Sequence, residues 1–85
     1  TYGKYKKMKS KQKIIYQNSS DEAIKLIIEP WGQELYIDSK VKVEIQIEGG
    51  SEHGCLMIES IQKTLVLYGW EGSVINVYQD GEKNF

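Results

Sequence analysis

The sequence contains no arginine, and among its 85 residues there is one cysteine, one proline, one histidine and one phenylalanine. Each shortage excludes something. Without arginine there is no planar fork for bidentate phosphate recognition, and a side chain favoured at interface hot spots is missing. A lone Cys55 cannot close an internal disulfide, which small secreted domains commonly need, and this points to a reducing, cytoplasmic setting. No apolar run approaches the roughly 18 residues of a membrane span, so no membrane partner is expected. The basic start is not followed by the apolar stretch, about 7–15 residues long, that marks a secretory signal. Asn18-Ser19-Ser20 has the pattern of a glycosylation site, but it reads here as part of a turn.

The length suits one domain with a modest core. At roughly 0.05–0.15 kcal/mol per residue its stability is about 4–13 kcal/mol. The net charge of −1 conceals an asymmetry. Residues 1–13 hold Lys4, Lys6, Lys7, Lys9, Lys11 and Lys13 and no acid, whereas residues 14–85 hold five lysines against all twelve acids, a net −7. Residues 1–12 read as a flexible basic arm, because aliphatics are few and like charges crowd. Residues 13–80 form the single β domain, and 81–85 are expected to fray.

From Lys13 onward the signal is alternation. Val41, Val43, Ile45 and Ile47 alternate with Lys42, Glu44, Gln46 and Glu48, which in a strand puts the aliphatics in the core and the polar residues in water. Further strands are expected at Lys13–Gln17, Ala23–Glu29, Glu34–Ile37, Cys55–Ser60, Thr64–Trp70 and Ser73–Tyr78. Asp21 to Ile28 is the one segment with helical potential, with Ser20 as its cap. Its β-branched residues and Pro30 favour a strand. Glu71-Gly72 reads as a tight hairpin turn, and Asp80-Gly81 as another turn or the start of the tail. About seven short antiparallel strands separated by turn residues specify an all-β fold, a sandwich with a small barrel as the alternative.

Chemistry-bearing residues are few. His53 and Cys55 are too few for a structural zinc site and badly spaced for a nucleophile–base pair. They read as a loop histidine and a half-buried thiol. Glu29, Glu34 and Glu71 each lie near a tryptophan and a glycine, but the separation an acid–base pair needs is not visible in a sequence. Glu44 and Glu48 are expected to be solvated. No phosphate loop or calcium loop is present, and neither a metal nor a cofactor is expected. The tryptophans say more. Trp31 lies in Glu29-Pro30-Trp31-Gly32 and Trp70 in Tyr68-Gly69-Trp70-Glu71-Gly72, both at strand ends. Either both indoles plug the ends of the sandwich, or they form an aromatic patch for a partner. Pro30 suggests that Trp31 is the exposed one. The apolar run Leu65-Val66-Leu67 suggests that Trp70 is the buried one.

The two motifs, in this order, resemble a group of small, uncharacterised bacterial β-domain proteins. These share a first strand ending in an asparagine turn (Ile14 to Asn18), a strand running into Glu-Pro-Trp-Gly, a turn and alternating strand (Asp38 to Glu48), and a last hairpin with Tyr-Gly-Trp-x-Gly (Tyr68 to Gly72). The likeness spans about residues 13–78. It implies a compact β fold and brings no activity.

The sequence therefore points to a non-enzymatic binding or interaction module, of the kind that serves as an inhibitor or immunity protein. Another protein is the expected partner, contacted through Trp31, Glu29, Glu34, Trp70 and Glu71, with the acidic body steering a basic partner. Two alternatives remain. One is nucleic-acid binding through Lys4, Lys6, Lys7, Lys9, Lys11 and Lys13 with Tyr2 and Tyr5, which the acidic body and the lack of arginine disfavour. The other is carbohydrate binding through Trp31 and Trp70.

Overall fold

Among the described residues, alternating apolar residues build eight strands: β1 (Lys11–Gln17), β2 (Ile24–Glu29), β3 (Gln33–Ile37), β4 (Lys42–Gly49), β5 (Met57–Ile61), β6 (Thr64–Tyr68), β7 (Ser73–Gln79) and β8 (Glu82–Lys83). The structure, a computed structural model, describes residues 11–85. Lys4, Lys6, Lys7 and Lys9 of the basic arm lie outside the described residues.

The strands form two four-stranded sheets, β1-β4-β7-β8 and β3-β2-β6-β5. The first is antiparallel throughout. The second contains one parallel pair, β2 with β6. Both sheets are open, so the arrangement is a sandwich and not the small barrel. The inner faces meet in a core of Leu26, Ile28, Ile37, Val43, Ile45, Ile47, Leu65, Leu67, Ile75 and Val77. Strand register follows the side-chain period of two: Ile45 lies opposite Ile14 on one side and Val77 on the other, all turned inward. Asp21 to Ile28 is extended, and β2 stops at Glu29, ahead of Pro30.

Several local expectations change. Val41 precedes β4 and is half-buried, and Glu44 and Glu48 are half-buried too. Glu44 accepts from the Gln46 amide and faces Lys13 at 4.0 Å. β1 begins at Lys11, so Lys11 and Lys13 lie on a strand; Lys11 is opposite Glu48. The end of the chain is structured. Asp80 and Gly81, with φ of 53° and 80°, make a two-residue hairpin turn into β8. Phe85 then packs back onto the core.

The Glu71-Gly72 turn forms, with the Ser73 N–H donating to the Trp70 carbonyl at 2.9 Å and Gly72 at φ 81°. It is not a hairpin, because β6 and β7 belong to different sheets. β6 is instead an interior strand of its sheet, with β2 and β5 on either side. Leu65 and Leu67 turn into the core, while Val66, on the other face between Ile27 of β2 and Glu59 of β5, is buried as well.

Candidate functional site

Parallel pairing has a direct consequence for the tryptophans. In a parallel pair both strands end on the same side of the sheet. β2 runs into Pro30-Trp31-Gly32 and β6 into Gly69-Trp70-Glu71-Gly72. Glu29 is the register partner of Tyr68, and one residue further on the Gly69 N–H donates to the Glu29 carbonyl at 3.0 Å. The two motifs, far apart in sequence, therefore share one depression of about 440 Å³, lined by Glu29, Pro30, Trp31, Tyr68, Gly69, Trp70, Glu71, Gly72 and Ser73.

The two indoles are held differently. Trp31 is 46% exposed, and its ring leans on Phe85 with centroids 5.9 Å apart at 57°. Trp70 is half-buried and packs against the core. Its indole N–H donates to the Gly49 carbonyl at 3.0 Å. Gly50 and Gly54 lie so close to its ring that neither leaves room for a Cβ. Its backbone N–H donates to Ser73 Oγ at 3.0 Å, and that hydroxyl donates back to the Trp70 carbonyl at 2.7 Å. Ser73 is thus a buried brace for the turn, and its hydroxyl is not free to act as a nucleophile. Neither indole is a fully buried plug: Trp70 is half anchor and half lining, while Trp31 presents an open face.

The acidic residues separate. Glu29 and Glu71 line the depression; Glu34 does not. Glu34 sits on the outer face of β3, paired with Lys25 at 3.6 Å. On that same outer face Tyr68 donates its hydroxyl to Glu59 Oε1 at 2.8 Å. This hydrogen bond raises the Tyr68 pKa above its ordinary value, with the charges of Glu59 and Glu29 acting in the same direction. Tyr68, which the sequence shows only as the first residue of its motif, lines the depression, and Glu59, which the sequence does not single out, holds its hydroxyl. Gly50 and Gly54 were missed as well, although Gly49-Gly50 followed by Gly54 is a signal for close backbone approach.

Other candidates fare less well. Cys55 is exposed rather than half-buried, and His53 is exposed beside Glu52 at 3.7 Å. Among the described residues no group of three or more His, Cys, Asp or Glu is placed to hold a metal ion. None has a helix long and apolar enough to cross a membrane. A larger hollow of about 530 Å³ lies on the solvent side of the first sheet, lined by Ile15, Lys42, Val43, Glu44, Tyr78, Asp80 and Gly81. It mixes charges of both signs and gathers none of the tryptophan motifs, so the smaller depression is the better site. Compared with protein families, curated proteins and solved structures, the chain matches none.

Proposed function

We propose that this chain is a cytoplasmic, non-enzymatic binding module that contacts another protein through the tryptophan depression, in the manner of an inhibitor or immunity protein. The observation that carries this reading is the convergence of Trp31 and Trp70, from opposite halves of the chain, on one depression at the paired ends of β2 and β6. Tryptophan and tyrosine are enriched where proteins meet, because each offers a large rigid apolar face with a polar edge. Trp70, braced by Gly49, Gly50, Gly54 and Ser73, supplies a fixed wall. Trp31 supplies the open ring. Acidic residues around them steer a basic partner toward this end of the molecule.

The test compares wild type with Trp31→Ala in affinity capture, followed by measurement of the dissociation constant for the purified captured protein. The expected result is an unchanged melting curve and a loss of at least about tenfold in affinity, the scale of an interface hot spot. Equal affinity of the two proteins for the same partner would exclude the depression as the contact surface.

A further inference from the structure

We infer that the depression takes a cationic side chain, an arginine or lysine presented by the partner protein. The inference rests on the reading of the depression as a contact surface and adds the chemistry it selects.

Donors and acceptors at the site are out of balance. Its side-chain donors are largely used internally: Trp70 Nε1 on the Gly49 carbonyl, Ser73 Oγ on the Trp70 carbonyl, and the Tyr68 hydroxyl on Glu59. Two of the backbone donors are used in the same way, Gly69 N–H on Glu29 and Trp70 N–H on Ser73. Acceptors are left over. Among the described residues neither Glu29 nor Glu71 has an ion-pair partner, and Lys25, on the same sheet, is occupied by Glu34 at 3.6 Å. Among the described residues no lysine lines the depression. A ligand that brings donors and positive charge therefore completes the site. An anion would meet two uncompensated carboxylates.

Shape and surface chemistry agree. Pro30, Gly69, Gly72 and the Trp70 ring give an apolar floor that suits the methylene stem of a long basic side chain. The exposed Trp31 ring offers a face for cation–π stacking, which a planar guanidinium uses best. The hydrogen bond to Glu59 makes the Tyr68 phenol hold its proton to higher pH, and the charges of Glu59 and Glu29 act in the same direction.

The probes are capped tripeptides with a central Arg, Leu or Glu, together with cellobiose, each titrated into the ¹⁵N-labelled protein while the indole N–H signals of Trp31 and Trp70 are followed. The expected result is a saturable shift of the Trp31 signal with the arginine peptide, weaker with added salt. In a Glu29→Gln/Glu71→Gln double variant the affinity should fall about fivefold, the scale of one exposed cation–π or charge contact. Equal binding of the arginine peptide to the double variant overturns the cationic assignment. Stronger binding of the leucine peptide or cellobiose at Trp31 also overturns it, but leaves the contact surface standing. If no probe shifts either indole, both the cationic assignment and the contact surface fall.

Discussion

The Gly69 N–H donates to the Glu29 carbonyl at 3.0 Å, one step beyond the last register pair of β2 and β6, Glu29 with Tyr68. This bond ties the turn after β6 to the end of β2. Gly69 has no side chain to get in the way: a Cβ there would lie 2.7 Å from Ser73 Oγ. Both tryptophan turns start from this junction, so the site's position depends on pairing within the sheet more than on either motif alone.

Trp31 and Trp70 should respond to truncation to different degrees. Trp70→Ala removes an indole packed on the core and strands the Gly49 carbonyl, and should cost about 3 kcal/mol, the lower end for a core tryptophan because the ring is only half-buried. Trp31→Ala removes a ring that is 46% exposed and should cost less than about 1 kcal/mol. Urea denaturation of both variants checks the order. A larger loss for Trp31→Ala would show that its ring is structural and its exposure misread.

Gly54→Ala should be more damaging than a loop substitution normally is. The added methyl would collide with the Trp70 ring at Cδ1, Nε1 and Cγ. Relief requires the indole to leave the Gly49 carbonyl, and such overpacking costs about 1–3 kcal/mol. Intrinsic fluorescence and a thermal melt report it together: Tm should drop and the emission should shift as the indole moves. An unchanged spectrum with wild-type Tm would mean that the Gly49–Leu56 loop does not clasp Trp70.

The strands were legible because alternation is a local property. Val43, Ile45 and Ile47 declare their face within eight residues, and the pairing partners obey the same period. Neither the sheet to which a strand belongs nor the direction of its neighbour is local in this sense. Glu71-Gly72 has the composition of a hairpin turn yet joins strands in two sheets, and the parallel β2–β6 pair joins segments separated by three other strands. The two tryptophan motifs were therefore visible one at a time, while their meeting was not. Glu34 was grouped with them by proximity in sequence, but β3 reverses direction after the Trp31 turn and carries it away, toward Lys25.

Tyr68 and Glu59 make a pH-dependent pair. The hydrogen bond to Glu59 raises the phenol pKa in the folded state. A raised folded value means the neutral phenol is favoured: its stabilising contribution is complete below the ordinary pKa near 10 and is lost as pH climbs through the folded value. Glu59→Ala removes both the hydrogen bond and the charge, so the Tyr68 midpoint should fall toward the ordinary value. A titration of ¹³Cζ-labelled tyrosine resolves Tyr68 from the other tyrosines. An unmoved midpoint would show that the hydrogen bond does not form in solution.

Asn18 offers the sharpest test of the fold, because a single side-chain nitrogen decides the outcome. Its side chain is only 2% exposed. The amide nitrogen donates to the carbonyls of Glu22 at 2.8 Å, Ile37 at 3.0 Å and Asp38 at 3.1 Å. The amide oxygen accepts from the Ser20 N–H at 3.1 Å and the Ser20 hydroxyl at 2.7 Å. The backbone joins in, with Asn18 N–H on the Val41 carbonyl and the Lys40 N–H on the Asn18 carbonyl. One amide thus fastens the ends of β1, β3 and the β1–β2 and β3–β4 turns. The same geometry withholds the amide nitrogen from any modification in the folded state, so the glycosylation pattern here is structural. Asn18→Asp keeps the shape and replaces the donor with an oxygen facing three carbonyls. It should cost more than the roughly 1–3 kcal/mol of one unsatisfied buried group, since it adds repulsion to the loss. Asn18→Ser, too short to span the carbonyls but without a charge, should cost less. Protonation restores one donor to the aspartate, so the deficit of Asn18→Asp against wild type should shrink as pH falls through the carboxylate range. Urea denaturation at two pH values measures both effects. A deficit independent of pH would place the damage somewhere other than at the three carbonyls.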